Sequence, residues 1–166
     1  MVIWIIGKSG SGKSFLAKNL IKNMKKIYKK KKILWIDGDD FRKKFSSDLG
    51  YSLLDRKKNS KRIQNRCKIF EDKSYLIVCS ILSIFKNHQK RNRRLFKNYI
   101  QVYIDVATEK LSKRNSKNIY ANKKDVVGKD IKFPTPYKSD IIIKNNFDSR
   151  YLKNIKKINK LIDEKL

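Results

Sequence analysis

The sequence predicts an α/β fold in three layers, with a mainly parallel β-sheet between two layers of helices. Five short apolar runs read as strands, each is continuous rather than alternating, and stretches of helical spacing separate them. A strand buried on both faces loses the alternation of a half-exposed one. Strand and helix in regular succession then argue for parallel pairing through helical crossovers.

The first run is Val2–Ile6, and the segment behind it carries Phe15, Leu16, Leu20 and Ile27 at helical intervals. Ile33–Ile36 follows as the second strand, and Ile63, Cys67 and Phe70 mark the next helix. Tyr75–Cys79, Ile100–Ile104 and Ile141–Ile143 supply the remaining strands. Tyr151, Ile155, Ile158 and Ile162 predict a terminal amphipathic helix over about 148–165 that packs back on the sheet. The polar stretch from Asn115 to Tyr137 holds Gly128, Pro134 and Pro136 and no sustained apolar period, so it reads as a long loop. Loops of that length in a compact domain are often lids or binding loops.

With 166 residues, 40% of them hydrophobic, the chain suits one domain over 1–166 that needs neither disulfides nor a structural metal. Cys67 and Cys79 match no zinc or CxxC spacing and read as buried reduced thiols. No segment approaches the roughly 20 apolar residues of a membrane span, and the apolar start lacks the basic flank of a signal peptide. The expected location is the cytoplasm. Forty-three Lys and Arg against 15 Asp and Glu give a formal charge of +28, which raises the question of a nucleic-acid partner. Lysine, however, is spread along the whole chain beside abundant Asn and Ile. The basic runs lack interleaved stacking aromatics and base-reading motifs, so nucleic acid is not the expected partner.

The strongest chemical signal is Gly7-Lys8-Ser9-Gly10-Ser11-Gly12-Lys13-Ser14, a full G-x-x-x-x-G-K-S match between a strand and a helix. Its glycines let successive N–H groups face a phosphate, Lys13 reaches the β- and γ-phosphates of ATP, and Ser14 is placed to ligate Mg²⁺. This is the P-loop pattern and predicts the corresponding NTPase fold. After the second strand, Asp37-Gly38-Asp39-Asp40-Phe41-Arg42 puts carboxylates where open α/β sheets bind ligands. One carboxylate can serve metal-bound water or the proton of an accepting hydroxyl, and Arg42 can pair with a phosphate. A helix N-cap by Asp37 or Asp39 is the plainer alternative for one of the two.

Taken segment by segment, the chain resembles the adenylyl-sulfate (APS) kinases over residues 2 to about 145. The pieces are GKSGSGKS at 7–14, IDGDDFR at 36–42, DLGYSLLDRKKN at 48–59 and SILSIF at 80–85, with NSKNIY at 115–120 and TPYKSDIII at 135–143 matching more loosely. The resemblance implies transfer of phosphate from MgATP to the ribose 3′-hydroxyl of a small nucleotide, in enzymes that are often dimers. By position it implies Asp39 near the transferred group, and Arg42, Arg56 and Asn59 against the acceptor. Tyr51 would stack on the acceptor base, or else be a half-buried core tyrosine. Lys117 would join the acceptor contacts, and Ser83 matches a family serine that either takes part in the chemistry or shapes the loop after the third strand.

The departures point to the acceptor. Family members usually carry Phe-Thr-Gly-Ile in the lid, whose Phe closes on adenine, where this chain reads Val126-Val127-Gly128-Lys129-Asp130-Ile131-Lys132-Phe133. Asp-Pro-Lys-Gly is replaced by Asn115-Ser116-Lys117-Asn118, and Ser-Pro-x-Arg by Ser83-Ile84-Phe85-Lys86. Val-Val-Gly looks like the lid of relatives from surface-polysaccharide pathways, one of which phosphorylates cytidine diphosphoramidate. Either that acceptor replaces adenylyl sulfate or Phe133 swings in to restore the second stacking face. Two readings from other classes are a basic nucleic-acid-binding protein with a regulatory P-loop and a nucleotide-binding module without transfer activity. Neither accounts for the acceptor-side match.

Overall fold

The computed structural model of the chain describes residues 1–114, 127–128 and 130–166. All five apolar runs are strands: β1 (Val2–Gly7), β2 (Ile33–Asp37), β3 (Leu76–Ile81), β4 (Tyr99–Asp105) and β5 (Ile141–Lys144). They form one sheet in the order β2-β3-β1-β4-β5, and each pairing is parallel. Between and after them lie α1 (Lys13–Ile27), α2 (Gly38–Phe45), α3 (Leu53–Asp72), α4 (Lys86–Leu95), α5 (Thr108–Arg114) and α6 (Asn154–Lys165).

The pleat of β1 divides its side chains between two cores. Ile3 and Ile5 pack with Leu16, Ala17, Leu20 and Met24 of α1 and Ile158 and Ile162 of α6. Val2, Trp4 and Ile6 face Phe41 of α2 and Ile63 and Cys67 of α3 on the other side. The three-layer arrangement therefore follows from a central strand with no exposed side chain among Val2–Ile6. Burying one such aliphatic side chain contributes about 1.5–3 kcal/mol.

Two helical expectations shift in detail. The buried stripe of α1 is Leu16, Ala17, Leu20 and Met24, whereas Phe15 and Ile27 are more than half exposed. Phe15 lies about 100° around the helix from Leu16 and stacks instead on Tyr151, ring centroids 6.4 Å apart. The terminal helix begins as a 3₁₀ turn, Ser149–Lys153, before α6. Asp148 caps that turn by accepting the N–H of Arg150.

Buried amides tie α3, α4 and β4 together. Gln64 donates to Asn92, Asn92 to the Tyr99 hydroxyl at 3.2 Å, and Tyr99 to Gln101 at 2.9 Å. Gln101 donates in turn to the carbonyl of Tyr137 at 2.6 Å. The chain running into β5 is thus held from inside. No helix of the described residues is long and apolar enough to cross a membrane.

Candidate active site

At the carboxyl end of β1 the chain turns so tightly that a Cβ on Gly7 would lie 2.5 Å from Ser11 Oγ and 3.0 Å from the Ile104 carbonyl. Gly12 has φ 96°, a left-handed conformation that a side chain would strain. Helix α1 starts at the next residue with no side-chain cap and no acid in its first turn. Its first N–H groups and the positive end of its dipole are therefore suited to an anion.

Two residues from beyond β5 brace this loop from behind. Asn145 donates to the Ser11 carbonyl at 2.9 Å and the Tyr151 hydroxyl to the Gly12 carbonyl at 3.0 Å. Ser9, Gly10, Gly12, Lys13 and Ser14 line the cleft, whereas Gly7, Lys8 and Ser11 do not. Lys8 turns away to donate to Thr108 Oγ1 at 2.7 Å and to the Val106 carbonyl at 3.2 Å. Lys13 Nζ donates to the Lys8 carbonyl at 2.7 Å.

Across the cleft, β2 ends at Asp37, which caps α2 by accepting the Asp39 N–H at 3.0 Å. The plainer reading therefore holds for Asp37, but it is incomplete. Asp37 Oδ2 also accepts the Ser14 hydroxyl at 2.6 Å and the Ser80 hydroxyl at 2.9 Å. Asp39 is exposed in the first turn of α2, at the same end. Ser14, Asp37 and Asp39 offer hard oxygen donors, the set that suits Mg²⁺ bound partly through substrate phosphates.

Farther along, Ser52 and Asp55 form a reciprocal cap at the start of α3: Asp55 N–H donates to Ser52 Oγ at 3.1 Å, and that hydroxyl donates to the Asp55 carboxylate at 2.8 Å. This fixes the loop that presents Tyr51. The Tyr51 ring is 58% exposed, which removes the core-tyrosine reading. Arg42 and Arg56 place their guanidinium groups 5.0 and 5.4 Å from its centroid. Arg42 also donates to the Gly50 carbonyl at 2.6 Å and Arg56 to the Tyr51 carbonyl at 2.8 Å. Asn59 is buried beside them, and its Oδ1 has no hydrogen bond among the described residues.

The wall after β3 contains Ser83, buried and held by Gln89, whose amide donates to the Ser83 carbonyl at 3.0 Å. Gln89 Oε1 accepts the Tyr137 N–H at 2.6 Å, so one side chain joins this wall to the chain entering β5. His88 Nδ1 lies 2.8 Å from Ser60 Oγ. Burial, and secondarily Lys57, Arg91 and Lys61, lower its pKa below the ordinary imidazole value.

All of these surfaces meet in one cleft of about 600 Å³, lined from Ser9 through Asp37, Asp39, Arg42, Tyr51, Arg56 and Asn59 to Ser83. Lys117 and most of the expected lid lie outside the described residues. Of the part that is described, Val127 reaches the cleft, while Phe133 is stacked on Tyr103 with centroids 6.0 Å apart. Reasoning from sequence missed the roles of Asn145, Tyr151, Gln89 and Ser80, because their contacts with Ser11, Gly12, Tyr137 and Asp37 span 134, 139, 48 and 43 positions.

A family model described as adenylylsulphate kinase matches residues 1–144. The chain belongs to the adenylylsulphate kinase family. An adenylyl-sulfate kinase of Thermodesulfovibrio yellowstonii is 34% identical over 99% of this chain and 84% of its own. A cytidine diphosphoramidate kinase of Campylobacter jejuni is 31% identical over 87% of this chain and 86% of its own. The APS kinase CysC of Mycobacterium tuberculosis, solved with AMPPNP and APS, superposes with a TM-score of 0.86 at 22% identity, covering 98% and 96% of the two chains. Membership of the adenylylsulphate kinase family makes the chain a phosphotransferase acting on a hydroxyl group.

Proposed function

We propose that this adenylylsulphate kinase family member transfers the γ-phosphate of ATP, bound with Mg²⁺, to the ribose 3′-hydroxyl of a small nucleotide, with adenylyl sulfate as the acceptor the family favours. The observation that carries this reading is the single cleft in which the P-loop faces Arg42, Tyr51, Arg56 and Asn59, with Asp37 and Asp39 between. Donor and acceptor are then both bound with the reacting oxygen close to phosphorus, and positioning supplies much of the rate.

Each residue has a defined task. The loop N–H groups and Lys13 hold the β- and γ-phosphates and stabilise charge on the transferring group. Ser14 and the carboxylates would hold Mg²⁺, which neutralises phosphate charge. Asp39 accepts the proton of the attacking hydroxyl as its oxygen bonds to the γ-phosphorus and ADP leaves. Arg42 and Arg56 pair with acceptor phosphate oxygens, Tyr51 stacks on its base, and the unpaired Asn59 Oδ1 takes a donor from it. Ser83 shapes the wall, and Lys117 adds a cation from the lid. The reaction belongs in the cytoplasm, and the reading includes a homodimer, which light scattering tests.

A second acceptor, cytidine diphosphoramidate, is favoured by the aliphatic Val126-Val127-Gly128 of the lid sequence, where the family's Phe-Thr-Gly-Ile carries an aromatic face for adenine. A pyrimidine needs less stacking area. The test is ADP release measured with the two acceptors side by side. Acceptor-dependent release assigns the substrate, and no acceptor-dependent release with either would overturn the transfer reading.

A further inference from the structure

The β2–β3 register sets Asp37 directly opposite Ser80, while Trp35, two residues earlier, shares the face of β2 on which Asp37 lies. Three side chains consequently meet at the strand end. The Trp35 indole N–H donates to Ser80 Oγ at 3.0 Å, and the Ser80 hydroxyl donates to Asp37 Oδ2 at 2.9 Å. The same Oδ2 accepts the Ser14 hydroxyl at 2.6 Å.

The direction of each bond is forced. An indole nitrogen only donates and a carboxylate only accepts, so the one proton of Ser80 goes to Asp37 and the Trp35 N–H occupies a lone pair of Ser80. Ser80 is 1% exposed, so water does not compete for this rotor. Asp37 then carries three hydrogen bonds, including the Asp39 N–H, which fix the plane of its carboxylate. With its proton committed to that fixed oxygen, Ser14 keeps its lone pairs for a cation.

We propose that Ser80 and Trp35 are positioning residues that, through Asp37, orient the Ser14 hydroxyl for the cation accompanying ATP. The inference rests on the MgATP reading above. Without Ser80, Asp37 Oδ2 loses one of two hydroxyl donors and is free to turn, and the Ser14 proton can point to where the cation should sit. Outer-shell partners of metal ligands typically change metal affinity by about 10–100-fold when removed.

The experiment is equilibrium binding of a fluorescent non-hydrolysable ATP analogue across a Mg²⁺ titration and in EDTA, on the parent, Ser80→Ala, Ser80→Thr and Trp35→Phe. Ser80→Ala should need about tenfold more Mg²⁺ for half-maximal enhancement. Trp35→Phe should shift the same way by less, Ser80→Thr should stay near the parent, and binding in EDTA should be equal throughout. Ser80→Ala with the Mg²⁺ dependence of the parent, or weakened as much in EDTA as in Mg²⁺, would overturn the inference while leaving the MgATP reading intact. A parent that binds the analogue without any Mg²⁺ dependence would overturn both.

Discussion

Phe133 lies nearly flat against Tyr103, with 18° between the ring planes. It also packs on the core formed by Val2, Trp4, Ile6 and their neighbours. The ring is therefore engaged in the body of the protein. An aromatic pair is worth about 0.5–1.5 kcal/mol beyond area burial. Loss of that pair alone in Phe133→Ala should lower Tm by about 1–6 °C, given roughly 2–4 °C per kcal/mol at this size. The ratio of kcat/KM for adenylyl sulfate to that for cytidine diphosphoramidate should stay unchanged. A selective loss with adenylyl sulfate would instead show that Phe133 leaves Tyr103 to stack on adenine.

Lys13→Ala is expected to reduce phosphoryl transfer by more than a hundredfold while the fold survives. The lost group is a cation at the β- and γ-phosphates. Asn145 and Tyr151 brace the loop through the Ser11 and Gly12 carbonyls, which the substitution leaves in place, so far-ultraviolet circular dichroism should match the parent. Turnover within about tenfold, roughly 1.4 kcal/mol of barrier, would remove Lys13 from that role.

Arg42→Ala and Arg56→Ala should raise the acceptor KM by tenfold or more with little change in ATP-analogue affinity. Each lies on the Tyr51 ring and holds a carbonyl of the loop at Gly50 or Tyr51. Arg42→Lys should restore little, because an ammonium lacks the planar fork that stacks and donates at once. Calorimetric titration with each ligand checks this, and equal losses for donor and acceptor would move the arginines to the donor site.

His88 predicts a pH response. Its folded pKa lies below the ordinary 6.5, so the unfolded chain binds the proton first as pH falls. The stability contribution is fully present above pH 6.5 and is lost as pH drops through the lowered folded value. His88→Asn should therefore lose less Tm than the parent between pH 7.5 and pH 5. Parallel Tm curves for the two proteins would show that burial of His88 does not matter to stability.

The strands could be read because burial on both faces leaves an uninterrupted apolar run, and GKSGSGKS could be read because eight consecutive residues carry its chemistry. Tyr51 was ambiguous for a physical reason: an aromatic residue between polar neighbours suits either a core or a stacking surface. The two arginines on its ring decide for the surface. Ser80 opens the SILSIF piece, yet its role could not be read there, since its meeting with Asp37 depends on strand register across 43 positions. Asn145 and Tyr151 brace the P-loop from more than 130 residues away, and no local pattern encodes that. Phe15 and Ile27 show the limit of apolar spacing, which marks a helix more surely than it marks which side of it is buried.

Strand β1 precedes both of its partners, β3 and β4, by a long stretch of chain, with Val2 opposite both Ile77 and Tyr99. The two pairings of the central strand therefore close loops that span residues 2–77 and 2–99, and closing such long loops is slow. Until then Val-Ile-Trp-Ile-Ile is an unpaired, uncharged edge open to other nascent chains. The lysine-rich segments around it repel one another at low ionic strength, and that repulsion weakens as salt screens it. Refolding yield should consequently fall as salt and protein concentration rise together, a vulnerability that belongs to the assembly of the molecule rather than to its finished form.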